Sequence, residues 1–200
     1  MRKPAAPAID PAPIVYVVDD DPSVRAALED LLASMGLQVR AFASTQAFLE
    51  HELEDAPACL VLDVRMPGQS GLEFHRTMGS HGLQLPVVFI TGHGDIAMGV
   101  NAIKDGAIEF LTKPFRDQDL IDAVNEALER DRRTRERAGD VAGAEARYAQ
   151  LTPRERQGMD LVVAGLMNKQ TAAELGLSEI TVKLHRSSLM RKMEVHTVAD

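Results

Sequence analysis

The chain has 200 residues, 45% hydrophobic and 26% charged, a balance that permits a globular protein with a buried core and suits two small domains better than one large one. No stretch approaches the roughly 18 consecutive apolar residues of a membrane span, so a transmembrane reading is unsupported. The net charge of −8 is uneven: residues 1–128 carry −10, 129–150 carry +1 and 151–200 carry +1, so the acidity of the first part says nothing against a nucleic-acid partner for the last.

Residues 1–13 hold Arg2 and Lys3 and then four prolines among alanines, without the apolar core of a secretory signal, and read as a flexible tail. From Pro13 to about Arg130 the pattern alternates. Short β-branched runs at 14–18, 59–62 and 87–90, with weaker ones at 37–42 and 107–111, are separated by helical stretches. Five strands alternating with five helices imply right-handed crossovers and a doubly wound α/β domain whose parallel sheet is buried on both faces. In such sheets function collects at the carboxyl ends of the strands. The single cysteine, Cys59, lies inside an apolar run and is expected as a buried thiol in a reducing cytoplasm.

The strand ends carry the chemistry. Asp19, Asp20 and Asp21 follow the first strand and Asp63 follows the third; if these strands are neighbours, three or four carboxylates share one crevice. Their repulsion would be relieved by a hard divalent cation such as Mg²⁺, while a plainer reading has Asp20 and Asp21 merely starting the helix at Pro22. The fourth strand ends in Thr91, Gly92, His93, Gly94 and the fifth in Thr112, Lys113, Pro114, Phe115, which adds a hydroxyl and an ammonium at the same edge. Such a set can take up a phosphoryl group: Asp63 attacks, the metal and Lys113 neutralise the oxygens, and Thr91 donates a hydrogen bond.

Beyond residue 130 an arginine-rich stretch with Gly139 and Gly143 reads as a helix running on as a linker, 129–147. Thr152, Pro153 and Glu155 then form an N-cap, first position and capping box, and Gly165 closes that helix. A short helix over 169–175 ends at Gly176, and a longer one over 179–193 is capped by Ser178, a helix-turn-helix layout. Along the last helix Val182, Leu189 and Met193 make an inward stripe. Lys183, Leu184, Ser187 and Arg191 lie across it, with Lys183 and Ser187 suited to base edges and Arg191 or Lys192 to phosphates.

Asp19 and Asp20, Asp63 with Met66, Pro67 and Gly68, Ser70 and Gly71, then Thr91 and Lys113 with Pro114 resemble the receiver-domain signature over about residues 14–128. The resemblance implies a CheY-like fold, Mg²⁺ held by Asp20, Asp63 and the backbone carbonyl of Arg65 with water-mediated help from Asp19, and phosphoryl transfer from a sensor histidine kinase. It also implies that Phe110 is the switch aromatic coupled to Thr91, and that the Lys113–Pro114 bond is cis. Leu151, Thr152, Arg154, Glu155, Asn168, Lys169, Ala172, Leu175, Ser178, Thr181, Val182, Lys183, His185 and Met193 resemble a LuxR-type helix-turn-helix over 148–200, placing the chain near the FixJ and NarL regulators. By that resemblance Lys183, Leu184 and Ser187 face bases of duplex DNA and Lys169, Thr181 and Arg191 hold phosphates.

The expected protein is a cytoplasmic, phosphorylation-dependent transcriptional regulator, with RNA polymerase a further candidate partner. It is not an enzyme beyond its own phosphorylation and dephosphorylation. The LuxR-type domain would use a fourth helix to pair, of which only a first turn at 197–200 remains, so dimerisation on phosphorylation is expected from the receiver's fourth helix, fifth strand and fifth helix. An aspartate-nucleophile phosphatase would need a second carboxylate where Arg65 stands, and a flavodoxin-like carrier would need a phosphate loop where the acids stand. A receiver that signals to a protein rather than to DNA remains as an alternative, because the last domain is only weakly basic.

Overall fold

The β-branched runs become the strands of one sheet because both of their faces can be buried. A computed structural model describes residues 11–92 and 96–195; most of the expected tail, the stretch 93–95 after Thr91, and the expected last turn at 197–200 lie outside the described residues. The chain divides into two compact units, Met1–Arg135 and Glu136–Asp200.

In the first unit the elements are β1 (Ile14–Val18), α1 (Pro22–Ser34), β2 (Gln38–Phe42), α2 (Thr45–Leu49), β3 (Ala58–Asp63), α3 (Gly71–Thr77) with a following 3₁₀ turn (Met78–His81), β4 (Val87–Thr91), α4 (Ile96–Lys104) and β5 (Glu109–Thr112). Helix α5 (Asp117–Ala149) begins here, and the division of the chain falls within it. The segment expected as a helical linker, Gly139 and Gly143 included, is a continuation of this helix.

The five strands are parallel in the order β2-β1-β3-β4-β5. Alternation along β1 sends Ile14, Tyr16 and Val18 into a core with Phe48 of α2, Phe74 of α3 and Ala102 of α4. Val15 and Val17 enter a second core with Leu28 and Leu32 of α1 and Leu120, Val124 and Leu128 of α5. This two-sided burial is the doubly wound architecture expected from the sequence. The weaker strand at 107–111 shifts to Glu109–Thr112, because Ile108 only donates to the Val87 carbonyl before the β4–β5 ladder begins at Val88 beside Glu109. Cys59 is buried within β3, as the sequence anticipates, and burial pushes its thiol pKa well above the ordinary range. At the other end of the sheet, buried Asp131 of α5 accepts the Ala58 N–H at 2.9 Å and pairs with Arg135, fixing the start of β3 to that helix.

The second unit contains α6 (Pro153–Val163), α7 (Asn168–Leu175) and α8 (Glu179–Met193). Thr152 caps α6 in a capping box with Glu155, Pro153 opens the helix, and Ser178 caps α8. The turn between α7 and α8 requires Gly176, whose φ of 65° is left-handed. Leu151, Val162, Ala172, Val182 and Leu189 are its buried apolar residues. Among the described residues no helix is long and apolar enough to cross a membrane.

Candidate functional site

Val18 pairs with Leu62 across β1 and β3, so Asp19 and Asp63 come side by side at the carboxyl edge of the sheet. Both are buried, 1% and 5% exposed. Beside them β4 ends in the fully buried Thr91, and Lys113 follows β5 with its N–H donated to the Thr91 carbonyl. The Lys113 ammonium donates to Asp19 Oδ2 at 2.6 Å and to Asp63 Oδ1 at 2.9 Å. The Lys113–Pro114 bond is cis, as the resemblance implies.

The remaining carboxylate oxygens are also held. The Asp21 N–H donates to Asp19 Oδ1 at 2.9 Å, and the Arg65 N–H donates to Asp63 Oδ2 at 2.8 Å. Burial pushes the Asp63 carboxyl above its ordinary pKa, against the pull of Lys113, and neighbouring Asp19 adds to the push. Burial alone would lower Lys113, yet its hydrogen bonds to Asp19 and Asp63 hold its pKa above the usual lysine range. The loop from β3 to α3 closes tightly because residue 71 is glycine: a Cβ there would stand 2.2 Å from the Asp63 carbonyl oxygen.

The acidic triplet divides into separate roles. Asp21 is the N-cap of α1, accepting the Ser23 N–H at 2.8 Å, so the plainer reading holds for that residue. Asp20 is exposed, and among the described residues no three His, Cys, Asp or Glu side chains are grouped to hold a metal ion. Of the three or four carboxylates expected in one crevice, Asp19 and Asp63 converge on Lys113, while Asp20 is exposed and Asp21 caps α1. The oxygens beside that pair, the carboxylate of exposed Asp20 and the backbone carbonyl of Arg65, are of the type that suits Mg²⁺. Arg25 was not anticipated: its guanidinium donates to the Asp19 carbonyl at 2.6 Å, a contact that no local pattern signals.

Phe110 is half-buried, with its ring 6.3 Å from that of Phe89. A Cβ on Gly99 would come within 3.2 Å of it, so the glycine makes room for the ring against α4. Outside lies a groove of about 600 Å³ whose lining includes Ile96, Val100, Ile103 and Phe110.

In the second unit Lys183, Leu184, Ser187 and Arg191 are exposed on α8, and Lys169 is exposed on α7. Thr181 is half-buried, with its hydroxyl 2.8 Å from that of Ser178. Lys192 does not belong with the outward cations. It donates to Glu155 Oε2 at 2.6 Å and to the Gln150 carbonyl at 3.3 Å, so the expectation that it is available to phosphates is corrected: a buried acid holds it. Ser188 donates to Glu155 Oε1 at 2.9 Å, and the Thr152 N–H donates to Oε2 at 2.8 Å. Lys192 above all, then the Thr152 N–H, pulls the Glu155 carboxyl down to about 2. The capping box was legible from three-residue spacing, whereas its clamp on α8 spans 37 residues and has no local signal.

Residues 15–125 match the response regulator receiver domain, and residues 149–200 match the bacterial regulatory proteins of the luxR family. The chain is 52% identical over 187 residues to nodulation protein W of Bradyrhizobium diazoefficiens, covering 94% of this chain and 82% of that protein. It is 48% identical over 191 residues to the response regulator protein TmoT of Ectopseudomonas mendocina, covering 96% and 87%. The solved structure of the response regulator StyR superposes with a TM-score of 0.84 at 47% identity, covering 94% of this chain and 95% of that one.

The Glu155 clamp predicts a pH dependence. Its folded pKa lies below the unfolded value of 4.5, so its contribution is fully present above that pH and is lost as pH falls toward about 2. Glu155→Gln should be less stable than wild type near neutral pH and lose less stability across that window. Urea unfolding of the second unit at the two pH values checks both signs.

Proposed function

Since the chain belongs to the response regulators that join a receiver domain to a LuxR-type helix-turn-helix, we propose that Asp63 accepts a phosphoryl group from a sensor histidine kinase and that this controls dimerisation and binding to duplex DNA. The observation that carries the reading is the Lys113 ammonium shared by two buried carboxylates at the carboxyl edge of the sheet.

An Asp63 oxygen attacks the phosphorus of a phosphohistidine; the new P–O bond forms as the P–N bond breaks and the imidazole leaves. Burial strips solvent from the Asp63 negative charge, and the Lys113 ammonium compensates it. Lys113, already 2.9 Å from Asp63, can follow that charge onto the phosphoryl oxygens, and the Thr91 hydroxyl donates to them. Asp20, Asp63 and the Arg65 carbonyl would hold Mg²⁺, with Asp19 assisting through water; when bound, the ion supplies charge neutralisation at the transferring group. The receiver's catalysis is confined to gaining and losing its own phosphoryl group.

Phe110 is the relay in this reading, set between Phe89 and Gly99 at the rim of the α4–β5 groove. The exposed Ile96, Val100 and Ile103 on that face supply apolar surface for pairing of two phosphorylated chains. In the second unit, Lys183, Leu184 and Ser187 face bases while Lys169, Thr181 and Arg191 hold phosphates, an assignment supported by the exposed stripe of α8. A kinase partner and promoter DNA place the protein in the cytoplasm, with RNA polymerase as a further partner.

Asp63→Asn should abolish Mg²⁺-dependent radiolabel uptake from acetyl phosphate with the fold unchanged by circular dichroism; undiminished labelling removes Asp63 from its role. Lys183→Ala should weaken specific duplex binding by about 1–3 kcal/mol and relax base preference, whereas Lys169→Ala should weaken all sequences alike. Titration against specific and random duplexes separates the two; equal losses on both for both variants would contradict the assignment.

A further inference from the structure

Two large apolar side chains on α8 are unexplained by hydrogen-bonding readout. Ile180 is 76% exposed and Leu184 68% exposed, although the helix buries Val182 and Leu189 on its other side. Four residues apart, they are neighbours on one helical face, and Lys183, Ser187 and Arg191 lie on the same outward side. We propose that Ile180 and Leu184 select thymine, by packing against the 5-methyl groups that thymine projects into the major groove. The inference rests on the reading that α8 enters that groove.

The surroundings say which surface these side chains meet. Along α8 the basic residues are Lys183, Arg186, Arg191 and Lys192, against one acid, Glu179, in the first turn. Lys192 is taken up by Glu155 and Arg186 by Asn168, which leaves Lys183 and Arg191 as the exposed cations that flank the apolar pair. Cations beside an apolar pair complement a polyanion that offers apolar groups between its phosphates. In the major groove the thymine methyl is that group; the other features of the base edges are hydrogen-bond donors and acceptors, which neither Ile180 nor Leu184 can answer. Ile180 is also β-branched and held near one rotamer by the helix, so little side-chain freedom is lost when it is ordered against a base. Lys183, between the two, remains free for a polar contact, so the stripe reads apolar and polar features in alternation.

The test uses the full chain, phosphorylated with acetyl phosphate, to select duplexes from a random pool. Each thymine of the selected site is then replaced in turn by deoxyuridine, which removes only the methyl group. The expected result is about a fourfold loss of affinity at one or more thymines, the worth of one buried methyl. At those positions the loss should vanish in Ile180→Ala or Leu184→Ala. Both residues are exposed, and unchanged melting curves would show that the variants fold. Deoxyuridine tolerated at every position, the same loss in wild type and both variants, or a selected site without thymine would overturn the inference while leaving DNA binding intact. A pool that yields no selected duplex at all would overturn the DNA-binding reading and this inference with it.

Discussion

An ammonium group held between two buried carboxylates organises the first unit. Asp19 and Asp63 are both buried, and the Lys113 ammonium reaches both from beyond β5. That contact requires β1, β3 and β5 to end at the same edge, which the parallel order β2-β1-β3-β4-β5 ensures. It also requires the β3–α3 loop to fold closely against the Asp63 carbonyl, which Gly71 alone among residues permits. The apolar cores on both faces hold the strands in register, and the charged cluster occupies the one edge where the chain leaves the sheet.

The second unit repeats the principle with a single carboxylate. One buried acid, Glu155, gathers the Lys192 ammonium, the Ser188 hydroxyl and the Thr152 N–H, and so ties the start of α6 to the last turns of α8. The side chains turned outward on α8 are left for a partner because the inward ones are already engaged. In both units a buried carboxylate fixes the elements that carry the working surface, and its loss would reach that surface through position as well as through charge.

Much of this was legible in the sequence because parallel α/β topology converts order along the chain into place. Asp63, Thr91 and Lys113 are far apart in number, yet each follows a β-branched run, and runs of that kind in a doubly wound sheet end together. The helix ends were equally legible: Thr152, Ser178 and Gly176 act through neighbours within a few residues. What stayed hidden were pairings that periodicity does not encode. Asp131 meets the Ala58 N–H across 73 residues, and Lys192 meets Glu155 across 37, so Lys192 reads from sequence as a solvated cation. Asp20 illustrates the other limit: three adjacent aspartates look equivalent, but the turn into α1 buries Asp19, assigns Asp21 to the cap and leaves Asp20 in solvent.

In the proposed function, chemistry at Asp63 governs DNA binding by α8. The most direct measurement is the affinity of the full chain for its selected duplex, with and without acetyl phosphate and Mg²⁺, in wild type beside Asp63→Asn. Affinity should rise on phosphorylation in wild type and stay at the unphosphorylated level in the variant. Equal affinity in wild type under both conditions, or an equal rise in the variant, would contradict control through Asp63.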